Sequence, residues 1–186
     1  GYKTGYLDQH IHFTQKTLLE ECCQVLSADE QYDHYKAEKI LFGLGFTGTD
    51  LQRPPGEFSG GFQLRINLTK TLLQNPDLLL LDEPTNYLDI LSLRWLRRFL
   101  KAFRGEVILI THDRDFMDSV TTHTMGIHRG MLTKIQGNTE KYYTQLMMDE
   151  EIHEKTRQNQ EKKIKDLRKF VDRFGAKASK AAQAQS

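Results

Sequence analysis

The run Leu78-Leu79-Leu80-Leu81-Asp82-Glu83-Pro84-Thr85-Asn86-Tyr87-Leu88-Asp89 constrains this chain more than any other stretch. Continuous leucine between Asn75-Pro76-Asp77 and the acidic pair reads as a short strand in a parallel sheet, where both faces are buried and alternation disappears. A second apolar run, Val107 to Ile110, follows after a stretch in which Trp95, Phe99 and Phe103 recur every four residues. That is strand, helix, strand, and the helical crossover predicts an α/β domain with a parallel sheet. Asp82 and Glu83 then arrive at the C-terminal edge of the sheet, where ligands bind in such folds.

Flanking segments extend this frame. Thr4-Gly5-Tyr6-Leu7 reads as a strand end, and Leu18 to Leu26 and Tyr35 to Leu44 as helical stretches. After the Pro54-Pro55-Gly56 turn, Leu64, Leu68, Leu72 and Leu73 recur at helical spacing until Asn75-Pro76-Asp77 ends the pattern. Short strands are expected at Thr124 to Ile127 and Leu132 to Ile135, with the core ending near Gly137. From Thr139 no glycine occurs until Gly175, and Tyr143, Leu146 and Met147, then Ile164, Leu167, Val171 and Phe174, fall at helical spacing. This predicts a long amphipathic helix, studded with Lys162, Lys163, Lys165, Arg168, Lys169, Arg173, Lys177 and Lys180.

Chemistry concentrates at three places. In a nucleoside triphosphatase, Asp82 can hold Mg²⁺ and Glu83 can orient or deprotonate the attacking water. Ser59-Gly60-Gly61 opens a helix with backbone N–H groups that no Cβ obstructs, which suits an anion, although helix capping by Ser59 explains the same residues. His112, in Thr111-His112-Asp113, leaves the second strand at the same edge as Glu83, within reach of a terminal phosphate. Gln9 sits in a loop after Tyr6-Leu7-Asp8 and signals little by itself.

In order and spacing these residues resemble the ABC ATPase family, with Gln9 as Q-loop, Phe58 to Gly61 as signature, Leu78 to Glu83 as Walker B, Asn86 to Asp89 as D-loop and His112 as switch histidine. The resemblance implies ATP and Mg²⁺ as cofactors, Asp82 (with Gln9) toward the metal, Glu83 as catalytic base, Gln9 and His112 at the γ-phosphate and Asp89 at a dimer seam. Cassettes of this family pair head to tail, so Ser59, Gly60 and Gly61 are implied to complete the site of a second cassette. Glu83 to Asp89, Thr111 to Phe116, Gly137-Asn138 and the tail Arg173 to Ser186 resemble the ABC-F subfamily more narrowly, in which the helical linker lies where ribosomal RNA and tRNA can be contacted. Phe58 and Tyr87 depart from the usual leucine and histidine.

No G-x-x-x-x-G-K-S/T phosphate loop occurs in these 186 residues. The chain is therefore expected to be a fragment: part of a nucleotide-binding domain over 1–138 and part of a basic interdomain linker over 139–186. The expected fold is α/β, a partial P-loop NTPase cassette with a parallel sheet and a helical signature region, followed by a long helical arm. Hydrolysis is expected of the parent, not of the fragment. A core of this kind is also expected to expose a sheet edge or apolar patch and to self-associate.

Composition narrows the setting. A formal net charge of +1 gives no global case for nucleic acid or membrane, and no stretch approaches the roughly 18 apolar residues of a membrane helix. Cys22 and Cys23, the only cysteines, are adjacent and suit neither a disulfide nor a zinc site, which points to a reduced, cytoplasmic chain. Three readings remain: an ABC-F ATPase acting on translation, the ATP-binding subunit of a membrane transporter, and a nonenzymatic RNA-binding or interaction fragment. The basic arm favours the first over the second.

Overall fold

Leucine-rich Leu78–Asp82 (β2) forms the centre of a three-stranded parallel sheet, flanked by Thr4–Tyr6 (β1) and Glu106–Ile110 (β3). Tyr6, Leu80 and Ile108 share one row of the register. The computed structural model describes residues 1–7, 12–30 and 32–183, with backbone only for Ala28 and 171–183. The sheet is covered on one face. Gly5, Leu79 and Leu81 are buried, whereas Tyr6, Ile108 and Ile110 stand exposed on the other face. Among the described residues the leucine run thus lacks the two-sided cover that its composition suggests.

Helices supply the cover. Leu18–Cys23 (α1), His34–Gly43 (α2) and Gly60–Leu73 (α3) pack on one another, and Ile90–Ala102 (α4) leads from β2 to β3. Ile66, Leu68 and Leu72 of α3 and Leu96 and Leu100 of α4 join Leu79 and Leu81 in one core. Trp95, Phe99 and Phe103 stack in series, as their spacing predicts, although Phe103 lies just past the end of α4 as its cap. Arg114–Val120 (α5), which periodicity did not reveal, is started by Asp113, whose carboxylate accepts the Phe116 N–H at 2.9 Å.

The chain divides into two compact units, residues 1–122 and 123–186. In the second, His123–His128 (β4) and Met131–Gln136 (β5) form an antiparallel hairpin, and Thr139–Gln183 (α6) is a 45-residue helix through Gly175. Arg129 and Gly130, both at positive φ, make the two-residue turn that a twisted hairpin favours. Gly126 is required beneath Tyr142, because a Cβ there would lie 2.1 Å from the tyrosine oxygen. The hairpin therefore groups with the helix rather than with the sheet, earlier than the change of composition near residue 138. No described helix is long and apolar enough to cross a membrane.

Candidate functional site

Parallel strands end at a common edge, and β2 and β3 deliver the acidic pair and the histidine there together. The Glu83 N–H donates to the Ile110 carbonyl at 2.8 Å, continuing the ladder one residue past Asp82. Glu83 adopts φ +46°, the left-handed region that a residue with a Cβ seldom enters, and the chain then turns, with Asn86 N–H donating to Glu83 O at 3.1 Å. This bend brings the Glu83 carboxylate to His112: Oε1 lies 3.3 Å from Nε2, and Oε2 accepts the His112 backbone N–H at 3.4 Å. The His112 side chain is almost fully exposed, free to meet a ligand while touching Glu83. Behind it, the Thr85 and Thr111 hydroxyls bond at 3.1 Å and tie the two strand ends.

Asp82 is half-buried and lines a cavity of about 390 Å³ together with Glu83, Asn86, Tyr87, Gly60 and Gly61. Among the described residues its carboxylate has no hydrogen-bond or ion-pair partner, and no cluster of three or more protein metal ligands exists. A lone, partly desolvated carboxylate fits Mg²⁺, which is commonly held by one or two carboxylates, water and substrate phosphates rather than by an all-protein cage. Asp82 is the residue that would hold it.

At the start of α3, Ser59 occupies the N-cap position with extended backbone (ψ 156°), yet its side chain makes no capping hydrogen bond. Ordinary capping thus does not account for this serine. Ser59 and Gly60 are exposed, leaving a hydroxyl and the first helical N–H groups available to an anion. Gly61 faces Tyr87, whose Cβ would stand 3.2 Å from a Cβ added at Gly61. Phe58 is buried and packs edge-on against Phe46 at 5.4 Å, so the departure from leucine is accommodated as core.

Asp89 caps α4 by accepting the Ser92 N–H at 2.9 Å, and its other oxygen meets Arg65 at 3.0 Å. The Ser92 N–H bond, with the Arg65 and Ser92 side chains, keeps the Asp89 carboxyl below its ordinary pKa against a smaller opposing effect of burial. Arg65 is the residue that sequence reading missed. A cation inside the leucine pattern of α3 is the signal that marks it. Gln9 lies outside the described residues.

Known proteins are similar to this chain. Two family profiles, each described as ABC transporter, match residues 1–86 and 125–186. A probable ATP-binding protein YheS of Escherichia coli K12 is 40% identical over 151 residues, 81% of this chain and 24% of that protein. The human ATP-binding cassette sub-family F member 3 is 35% identical over 81% of this chain and 21% of its own length. The chain thus spans about a quarter of the relatives it matches. Among solved structures, an ATP-binding subunit of an ABC transporter superposes with a TM-score of 0.64 at 21% identity, over 77% of this chain and 62% of that one. The dimeric, post-hydrolysis cassette MJ0796 bound to ADP and phosphate does so at 0.56 and 21%, over 73% and 63%. These likenesses establish the fold as part of the cassette form of the P-loop NTPases, α/β with a parallel sheet.

Proposed function

We propose, from the premise that this chain belongs to the ABC ATPase family and its ABC-F subfamily, that it contributes to two ATP sites: Asp82, Glu83 and His112 to one, and Ser59, Gly60 and Gly61 to that of a second cassette. The convergence of Glu83 and His112 at 3.3 Å, beside an Asp82 with no partner among the described residues, carries the reading. Leu78 to Glu83 acts as the Walker B strand and Phe58 to Gly61 as the signature. Mg²⁺, when bound near Asp82, supplies charge neutralisation for the phosphates. Glu83, fixed by its turn, holds the attacking water or takes its proton, and exposed His112 reaches the γ-phosphate from the neighbouring strand end. Gln9 is assigned to the same site on the family resemblance. Asp89, exposed beside the start of α4, lies at the seam with the second cassette.

The parent protein works in the cytoplasm on the ribosome, with residues 139–186 as the linker toward ribosomal RNA or tRNA. The basic half of α6 supports this role, since clustered Lys and Arg release phosphate counterions on binding. The chain alone, without a phosphate-loop sequence, is inactive.

Replacing Glu83 with Gln in the full-length protein tests the catalytic assignment. Turnover is expected to fall by on the order of 10²–10⁴-fold, the usual contribution of a general base, with MgATP retained and the cassettes trapped closed. Near-normal turnover refutes it.

A further inference from the structure

Arg65 is buried, with 8% of its side chain exposed, and nearly every donor is occupied. Nε and one Nη reach the Tyr87 carbonyl at 3.0 and 2.6 Å. The other Nη donates to the Leu44 carbonyl at 2.9 Å and to Asp89 Oδ2 at 3.0 Å, with Ser92 Oγ at 3.4 Å. The Phe62 ring lies against the guanidinium, 4.4 Å from its carbon to the ring centroid. One side chain therefore joins the end of α2, the start of α3, the turn 84–89 and the cap of α4.

Its main acceptor is unusual. Tyr87 has φ +82°, a conformation that is strained for a bulky residue and persists only where surroundings enforce it. Two N–H groups on the Tyr87 carbonyl are such an enforcement, and a planar five-donor fork can supply them while bonding Leu44 and Asp89; a lysine ammonium cannot span the same acceptors. Tyr87 in turn abuts Gly61. The turn and the glycines of α3 are held to each other at one place.

We propose that Arg65 is a positioning residue: it clamps Tyr87 in its left-handed conformation, so that Asp89 and the Ser59–Gly61 segment are presented to a second cassette as one rigid face. This rests on the two-site reading above. In this role Arg65, which also lines the cavity beside Asp82, acts on closure through Tyr87 and Asp89.

The test combines two measurements on Arg65→Met and Arg65→Lys in the full-length protein. Amide hydrogen exchange at Tyr87, Leu88 and Asp89 is expected to accelerate at least tenfold in both variants, while Leu79 and Leu81 of β2 keep their protection. ATP turnover is expected to fall at least tenfold with KM for MgATP within threefold, and Lys is expected not to restore it. Adding Tyr87→Gly, which removes the steric cost of positive φ, is expected to recover a large part of the turnover that Arg65→Met removes. Unchanged exchange in the turn overturns the clamp whether or not the protein hydrolyses ATP. Faster exchange with unchanged turnover, or no recovery with Tyr87→Gly, overturns the link to closure. If Arg65→Met fails to fold, Arg65→Lys with and without Tyr87→Gly answers the same question. A wild-type protein without ATPase activity defeats the two-site reading and leaves the exchange result to judge the clamp.

Discussion

Arg65 and the helix α6 both carry paired charge, but they hold it differently. Arg65 bonds residues 21 to 27 positions away, inside the core. On α6 the pairs Glu151–Lys155, Glu154–Arg157 and Arg157–Glu161 are three or four residues apart, with every side chain at least half exposed. Burial makes the first kind specific: removing one partner strands another away from water. Exposure makes the second kind weak individually, tenths of a kcal/mol each, so the helix gains from charge density rather than from any one residue. Site chemistry therefore gathers where bonds are long-range, whereas the exposed pairs of α6 are screened by salt.

The largest effect that tests this contrast is at Glu21, fully buried in α1. Its carboxylate accepts the N–H groups of Thr14 and Gln15, each at 2.9 Å, and bonds the Lys70 ammonium from α3. Burial pushes its pKa up, but the Lys70 bond and the two N–H bonds together outweigh this and hold it below the ordinary carboxylate value. Glu21→Ala in this chain is expected to cost about 3–5 kcal/mol in urea denaturation, the range for breaking a buried pair from one side. Because the folded value is depressed, the stabilisation is complete above the unfolded carboxylate value, about pH 4.3, and fades as pH falls through the lower folded one. The gap between wild type and variant is thus expected to narrow on acidification. A gap that stays constant from neutral to strongly acidic pH removes the charge from the explanation.

A smaller effect isolates packing without charge. Gly43 ends α2 against the α4 indole, and a Cβ there would stand 2.1 Å from Trp95 Nε1. Gly43→Ala is expected to destabilise by about 1–3 kcal/mol, as overpacking does, despite the gain of up to about 1 kcal/mol in helix propensity. Trp95 is the sole tryptophan, so a shift in its fluorescence reports the displacement directly. A variant as stable as the wild type with an unshifted spectrum shows that α2 and α4 can separate at no cost.

What was legible in the sequence follows the same division. Periodicity located α3, α4 and the β2–β3 crossover, because leucines and aromatics at fixed spacing act within one element. The motif order placed Glu83 and His112 at one edge, since parallel strands end together. Three features were not legible. The α5 helix is short and rests on an Asp113 cap rather than on a stripe. The bare sheet face depends on what packs there, which a leucine run cannot state. Arg65 sits among apolar neighbours in α3, and beside Asp89 and Ser92 its acceptors are the backbone carbonyls of Leu44 and Tyr87, groups that every residue carries.

The arm gives the smallest effect on stability and the sharpest test of the comparison. Changing Lys162, Lys163, Lys165, Arg168 and Lys169, all exposed, to Gln in the full-length protein is expected to leave urea unfolding of the nucleotide-binding region within about 0.5 kcal/mol of wild type. If those residues neutralise phosphates, the same variant binds ribosomes more weakly at low salt, and its log–log salt slope is shallower by up to roughly 0.7 for each phosphate of single-stranded RNA that is no longer neutralised. Wild-type ribosome binding that does not weaken between low and high salt removes the arm from RNA recognition. A variant that loses stability instead shows that these lysines hold structure, and the contrast between buried, partner-specific charge and exposed, collective charge then fails on the side of α6.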